Sequence, residues 1–136
     1  MSALSNWLEA RVMDFIFKNN SLGWTSPGNS LYVALFTSGA GLEEGTLTNE
    51  ISGGSYARVQ VPAADWTRTN NVVVNANDID WAVATGAWGT ITHGAIIDSA
   101  SGAGNILWHG ALAAPKSIGV DDQFRILAGD LEATID

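Results

Sequence analysis

The chain has 136 residues and no cysteine, with 14 Asp and Glu against 6 Lys and Arg, for a net charge of −8. That length suits one domain with its own core, and the absence of cysteine excludes disulfide and thiolate sites. The acidic balance repels phosphate backbones and anionic bilayers, so neither a nucleic-acid nor a membrane partner is expected.

Charged residues make up 15% and hydrophobic residues 46%, with six Trp among them. Ordinary soluble domains carry about 25% charge. A surface this poor in charge is prone to association unless neighbours cover it, and a neutral surface rich in Gly, Ser, Thr and Asn accounts for the composition equally well. No run approaches the roughly 18 apolar residues of a membrane helix. Glu9 and Asp14 interrupt the first apolar segment and no basic stretch precedes it, so no signal peptide is expected.

Residues 2–18 read as a helix. Leu4, Leu8, Val12, Phe15 and Ile16 recur at spacings of three and four, with Trp7 beside them. Asn6 with Glu9 three residues on resembles a capping pair, and Ser2 is an earlier candidate cap. Asn19, Asn20, Ser21 and Gly23 end the segment. Residues 31–37 are apolar on both alternating sets, Leu31, Val33 and Leu35 against Tyr32, Ala34 and Phe36. A strand of this kind is central and covered on both faces.

Residues 38–55, rich in Gly, Ser, Thr and Glu, read as a long loop that ends in a tight turn at Gly53-Gly54. Strands are expected over 56–61, 70–75, 79–84, 90–98 and 105–112. Pro62 closes the first of these, and Pro115 breaks the chain after the last. A short strand over 116–120 follows. Residues 123–128 and 130–135 read as one strand bent at Gly129. Thr92 to Ile96 and Trp108 to Leu112 echo each other and read as two flanks of one hairpin. About eight strands at this spacing predict a mainly β chain: an antiparallel β-sandwich or open barrel with one N-terminal α-helix. It forms a single domain over 1–136, with the helix in 1–20 and the sandwich in 30–136.

Chemical sites are sparse. His93 and His109 could share a metal with Asp98, but two histidines without a clear third ligand read better as hydrogen-bonded sheet residues. Residues 75–80 crowd oxygen donors as a calcium loop does, but lack its Gly and later Glu, so a turn capped by side-chain bonds is expected instead. No Gly-x-Ser-x-Gly elbow is present, and neither Lys nor a helix follows Gly53-Gly54-Ser55 as in a phosphate loop. Glu43 and Glu44 sit in a polar loop, without the dry pocket a catalytic acid needs. No enzyme activity, metal or cofactor is expected. Trp66, Trp81, Trp88 and Trp108 could form a glycan platform, but core or interface packing explains them as well. Glu50 and Arg58 flank the Gly-Gly turn and are placed to pair and pin the loop to the strand.

Several segments taken together resemble a known family. They are 31–38, 50–58 (Glu-Ile-Ser-Gly-Gly-Ser-Tyr-Ala-Arg), 88–98 (Trp-Gly-Thr-Ile-Thr-His-Gly-Ala-Ile-Ile-Asp), 106–112, 114–117 and 124–131. In order and spacing they are similar to small virion proteins of tailed bacteriophages, usually labelled tail fibre proteins, some of which resemble capsid cement or decoration proteins. The resemblance spans nearly the whole chain and is poorest over 70–84. It implies a β-rich virion subunit assembled in the bacterial cytoplasm, with no catalytic residues.

A domain of this length is not itself a long fibre, and it has no heptad run or β-helix repeat. The expectation is therefore a capsid cement subunit on the phage head, holding joints between major capsid proteins. A homotrimer would match local threefold axes. The alternatives are a tail fibre or baseplate component with tail proteins as partners, and a glycan-binding module. Candidate contact residues are Trp7, Leu8, Val12 and Phe15 on the helix and Glu43, Glu44 and Glu50 in the loop. Tyr56, Arg58, His93 and His109 are candidate structural residues.

Overall fold

The computed structural model describes residues 3–135. The chain opens with a short strand, β1 (Ala3–Leu4), and a helix, α1 (Asn6–Phe17). The helix cap is Ser5, whose Oγ accepts from the Leu8 N–H at 3.4 Å and donates to the Ile106 carbonyl. This corrects the expected cap: Asn6 is the first helical residue and Glu9 lies one position beyond N3. Ser2 falls outside the described residues. The choice is tertiary. Leu4 pairs with Trp108 and the Ser5 N–H donates to Leu107 O at 3.0 Å, so the point where the chain leaves the sheet fixes the start of the helix.

The remaining strands are β2 (Tyr32–Phe36), β3 (Val59–Gln60), β4 (Trp66–Thr69), β5 (Val72–Asn75), β6 (Ile79–Asp80), β7 (Gly89–Ile97), β8 (Ile106–Ile118), β9 (Arg125–Ile126) and β10 (Glu132–Thr134). Among the described residues they form a five-stranded sheet, β1-β8-β7-β2-β3, with smaller sheets β10-β5-β4 and β6-β9. All pairings are antiparallel. The fold is mainly β, with one α-helix and a sandwich-like arrangement rather than a closed barrel.

β2 lies inside the large sheet, and its Val33, Ala34, Leu35 and Phe36 are all at most 1% exposed, as its two-faced pattern requires. The 92–96 and 108–112 echo is the body of the β7–β8 hairpin, with Gly94 opposite Gly110.

Other elements depart from the sequence reading for identifiable reasons. Pro115 does not break β8. Ile91 pairs with Lys116 and His93 with Ala111, so Pro115 falls in an irregular stretch where a missing N–H costs nothing. Strand 56–61 shrinks to β3 because Tyr56 completes the edge of β2 with its side chain. The Tyr56 hydroxyl accepts the Leu35 N–H at 2.9 Å, and Leu35 O accepts the Ile51 N–H at 3.0 Å. Strand 79–84 is reduced to β6. Residues 123–135 do not make one bent strand: β9 pairs with β6 and β10 with β5, in different sheets. Gly129, at φ 84°, makes the turn between them. β4 was not expected at all.

Two cores result. One lies between the large sheet and the small ones, and gathers Val33, Leu35, Ile91 and Ile118 with Ile79, Trp81 and Phe124. Trp81 meets Phe124 edge-on at 5.2 Å. The second covers the opposite face, where Leu42 joins Ala34, Phe36, Ala95, Ile97 and Ile106, with Leu47 beside them. The polar-looking loop is therefore the lid of a core.

Leu42→Ala should lower the unfolding free energy by about 2–5 kcal/mol, the cost of an unfilled buried site. Urea denaturation measures it, and a loss below about 0.5 kcal/mol would show that the loop is not part of the core.

Candidate functional site

The 38–58 segment is held by a buried charged cluster. Arg58 Nε donates to Glu50 Oε1 and Nη2 to Oε2, each at 2.8 Å. Nη1 donates to Ser99 O at 3.1 Å and Ser99 Oγ at 2.8 Å, and Nη2 also reaches Gly102 O at 2.7 Å. All five guanidinium protons are thereby matched, as a buried Arg requires. The Glu50 carboxylate at its side raises the affinity of Arg58 for its proton, against the opposing effect of burial. Tyr56 donates to Glu50 Oε1 at 2.9 Å, and burial pushes its hydroxyl pKa well above the usual tyrosine range. Glu50, a candidate contact residue, thus has both oxygens engaged inside the chain.

The turn before Tyr56 runs through Gly53, Gly54 and Ser55 at φ 75°, 58° and 66°. Gly54 is required by close approach: a Cβ there would stand 2.5 Å from Gly86 O. In return, Gly54 O accepts the Trp88 indole N–H at 2.9 Å and the Thr85 N–H at 3.0 Å.

The other candidates are spread out. His109 Nε2 meets Glu43 Oε2 at 2.6 Å, and Glu43 O accepts the Asn6 N–H at 3.2 Å, so Glu43 joins loop, β8 and helix start. Glu44 is exposed. His93 Nδ1 lies 2.8 Å from Thr92 Oγ1, and its ring packs on Gly39, where any Cβ would overlap it. Asp98 accepts both N–H groups of Asn105 and closes the hairpin loop. In the 75–80 segment, Asp78 accepts the Ala128 N–H and Asp80 pairs with Arg125. Asn75, 1% exposed, bonds Asn77 O, Leu127 O and the Leu131 N–H through its side chain. The bond to Asn77 O is a side-chain bond within the expected turn, while those to Leu127 and Leu131 are not legible in the sequence, because these partners lie more than 50 residues away.

Two surface features stand out. The first is the helix. Leu8 is buried, Trp7 packs edge-on against Trp24 at 5.4 Å, and Arg11 stacks over Trp7 at 4.3 Å. Val12 is partly covered, but Phe15 is 54% exposed. Met13, Ile16 and Phe17 are 55%, 61% and 74% exposed and share a face by their spacing of three and four. The sequence reading sought a single stripe and missed Met13 and Phe17. The second feature is a crevice of about 330 Å³ between the sheets, walled by Trp66, Val73, Ile96, Trp108, Ala133 and Ile135. The register builds it: Ile96 pairs with Trp108, and Val73 lies between Arg68 and Ala133. The Trp108 indole N–H is already bonded to Thr134 O at 3.0 Å and that of Trp66 to Val61 O at 3.3 Å.

A family model described as podophage GP4 fiber I protein gp80 matches residues 3–134. The chain belongs to that family. It is a structural protein of a phage virion, and the family match spans the helix, the Arg58 cluster and all of the named crevice walls but Ile135. No curated protein matches it. In this gp80-family chain the Arg58 cluster ties three segments together, and the apolar helix end and crevice are the features turned outward.

Removing Arg58 leaves Glu50 with only its Tyr56 bond and two loop carbonyls unmatched. Arg58→Ala should cost about 3 kcal/mol and speed proteolytic cleavage within 38–55 and 99–104. Unchanged cleavage in both loops would refute the pinning role.

Proposed function

We propose that this chain is a non-enzymatic building subunit of a phage tail fibre, working by contact with its neighbours. The match to a fibre protein family over residues 3–134 carries the reading. The local chemistry supports it. Glu43, Glu50, His93, His109 and Asn75 are bonded within the chain and hold loops in place, while Glu44 stays exposed. Of the large apolar side chains left exposed, Met13, Phe15, Ile16 and Phe17 gather at the end of α1, while Val83, Val120, Leu127 and Ile135 lie elsewhere.

The longest strand, β8, has 13 residues and spans about 43 Å at 3.3 Å per residue. A longer fibre would be built from several copies or from this subunit joined to other tail proteins. A second reading, a cement homotrimer on the major capsid protein, draws support from the same dimensions, since a short body suits a joint between capsid subunits. The apolar helix end serves either role.

Gold-labelled antibody on intact virions separates them. The fibre reading expects label confined to the tail at a handful of copies per particle. Label spread over the head at hundreds of copies would replace it with the cement reading.

A further inference from the structure

The helix carries apolar residues on two faces. At 100° per residue, Met13 lies about 140° and Phe17 about 180° around the axis from the buried Leu8. The chain's own sheet cannot cover both sides at once. A helix that is apolar on opposite sides is stable in water only when both are covered. On the outer face, Glu9 precedes Met13, Ile16 and Phe17 at spacings of four, seven and eight. It is exposed and has no ion-pair partner among the described residues. The outer face is thus an apolar knob with an acid at its upstream end.

The crevice is its counterpart. Its walls are almost wholly apolar, and its two indole N–H groups are bonded elsewhere. Sugar hydroxyls would find few partners there. A site of about 150 Å³ holds one benzene ring, so about 330 Å³ accepts roughly two side chains of that size. At its mouth stands Arg68, exposed and paired with no carboxylate among the described residues; its Nη1 donates only to Asn70 O at 3.0 Å. Among the described residues, one chain therefore presents an apolar knob beside an acid without an ion-pair partner and an apolar hole beside a base without one.

From this match of shape, polarity and charge we infer that the outer face of α1 in one copy docks in the Trp66–Trp108 crevice of the next, with Glu9 beside Arg68. The contact is heterologous, so each copy keeps one free knob and one free hole, and assembly propagates. The inference deepens the fibre reading, but the two are tested separately. Virion labelling decides where the protein sits, and solution assembly decides whether copies join this way.

The test is sedimentation velocity of the full chain over a concentration series, with near-UV circular dichroism to confirm folding. Wild type should assemble with rising concentration. Phe17→Asp and Ile135→Asp, both at exposed positions, should each weaken self-association by about tenfold or more. Their equimolar mixture should form dimers that grow no further, because one variant keeps the hole and the other the knob. Glu9→Arg and Arg68→Glu should each weaken assembly, and the double reversal should restore it, which keeps the test valid if an apolar variant misfolds.

A wild type that stays monomeric throughout would overturn the inference. So would loss of assembly in Phe17→Asp alone, which means helix pairing with helix. Assembly indifferent to all variants, or a Trp fluorescence change on adding host oligosaccharide that Ile135→Asp abolishes, would overturn it as well.

Discussion

The fold depends on a strand whose two faces are both apolar. With Val33 and Leu35 on one side and Ala34 and Phe36 on the other, the large sheet must be covered twice. The small sheets cover one face and offer regular hydrogen bonding. The other is covered by the 38–50 loop, whose ladder contact with β2 is a single bridge, Phe36 with Glu50. A segment lying on a core must still satisfy its backbone. The Thr37 N–H donates to Asn49 O, the Ile51 N–H to Leu35 O and the Thr46 N–H to Gly41 O. Arg58 and Tyr56 then fasten the end of the loop at Glu50. A buried guanidinium stabilises only when every proton is matched, and this one is matched by groups from two loops, Glu50 in one and Ser99 and Gly102 in the other. Its worth lies in fixing which loop conformation covers the core.

What the sequence made legible follows from the range of the forces involved. The double-faced strand, the β7–β8 hairpin and the helix are written in local periodicity. The proximity of Glu50 and Arg58 could be read from the short Gly-Gly turn between them. The rest is decided at a distance. Ser5 outcompetes Asn6 as cap because its hydroxyl also reaches Ile106, 101 residues on. Pro115 survives within β8 because of how that strand registers against β7. Leu42 is an isolated apolar residue in a polar stretch, so no pattern marks it as core. Trp66 and Trp108 were visible as candidates, but only the pairing of β4, β5 and β10 brings them to one crevice. The helix was half legible: its inner stripe has a standard spacing, while the outer apolar residues hide among those expected to dock.

The low charged fraction acquires a structural meaning. Of the six cationic residues, Lys18, Arg58 and Arg125 pair with Asp14, Glu50 and Asp80, and Arg11 stacks on Trp7. Asp80 holds the Arg125 proton more firmly than usual, even at an exposed position. Positive charge is therefore mostly committed within the chain, and the surface that remains is acidic. Arg68 is one of the few basic groups left to meet another molecule.

That imbalance sets the terms on which copies meet. Two subunits of net charge −8 repel at any orientation that brings acidic surfaces together. Favourable approach is confined to the place where a base faces an acid and apolar groups leave water, so charge narrows the geometry and burial supplies the attraction. The repulsion decays over about 8 Å at physiological ionic strength, which is shorter than the helix. It therefore weighs on contacting copies and hardly at all on distant ones. With the docking inferred above, such a chain would stay dispersed while dilute and join where local concentration is high, as at an assembling virion. If rotation between successive copies returns on itself, the heterologous joint closes a ring. If it does not, the same joint gives an extended stack. One short subunit can then serve a structure much longer than itself without a heptad or β-helical repeat in its sequence.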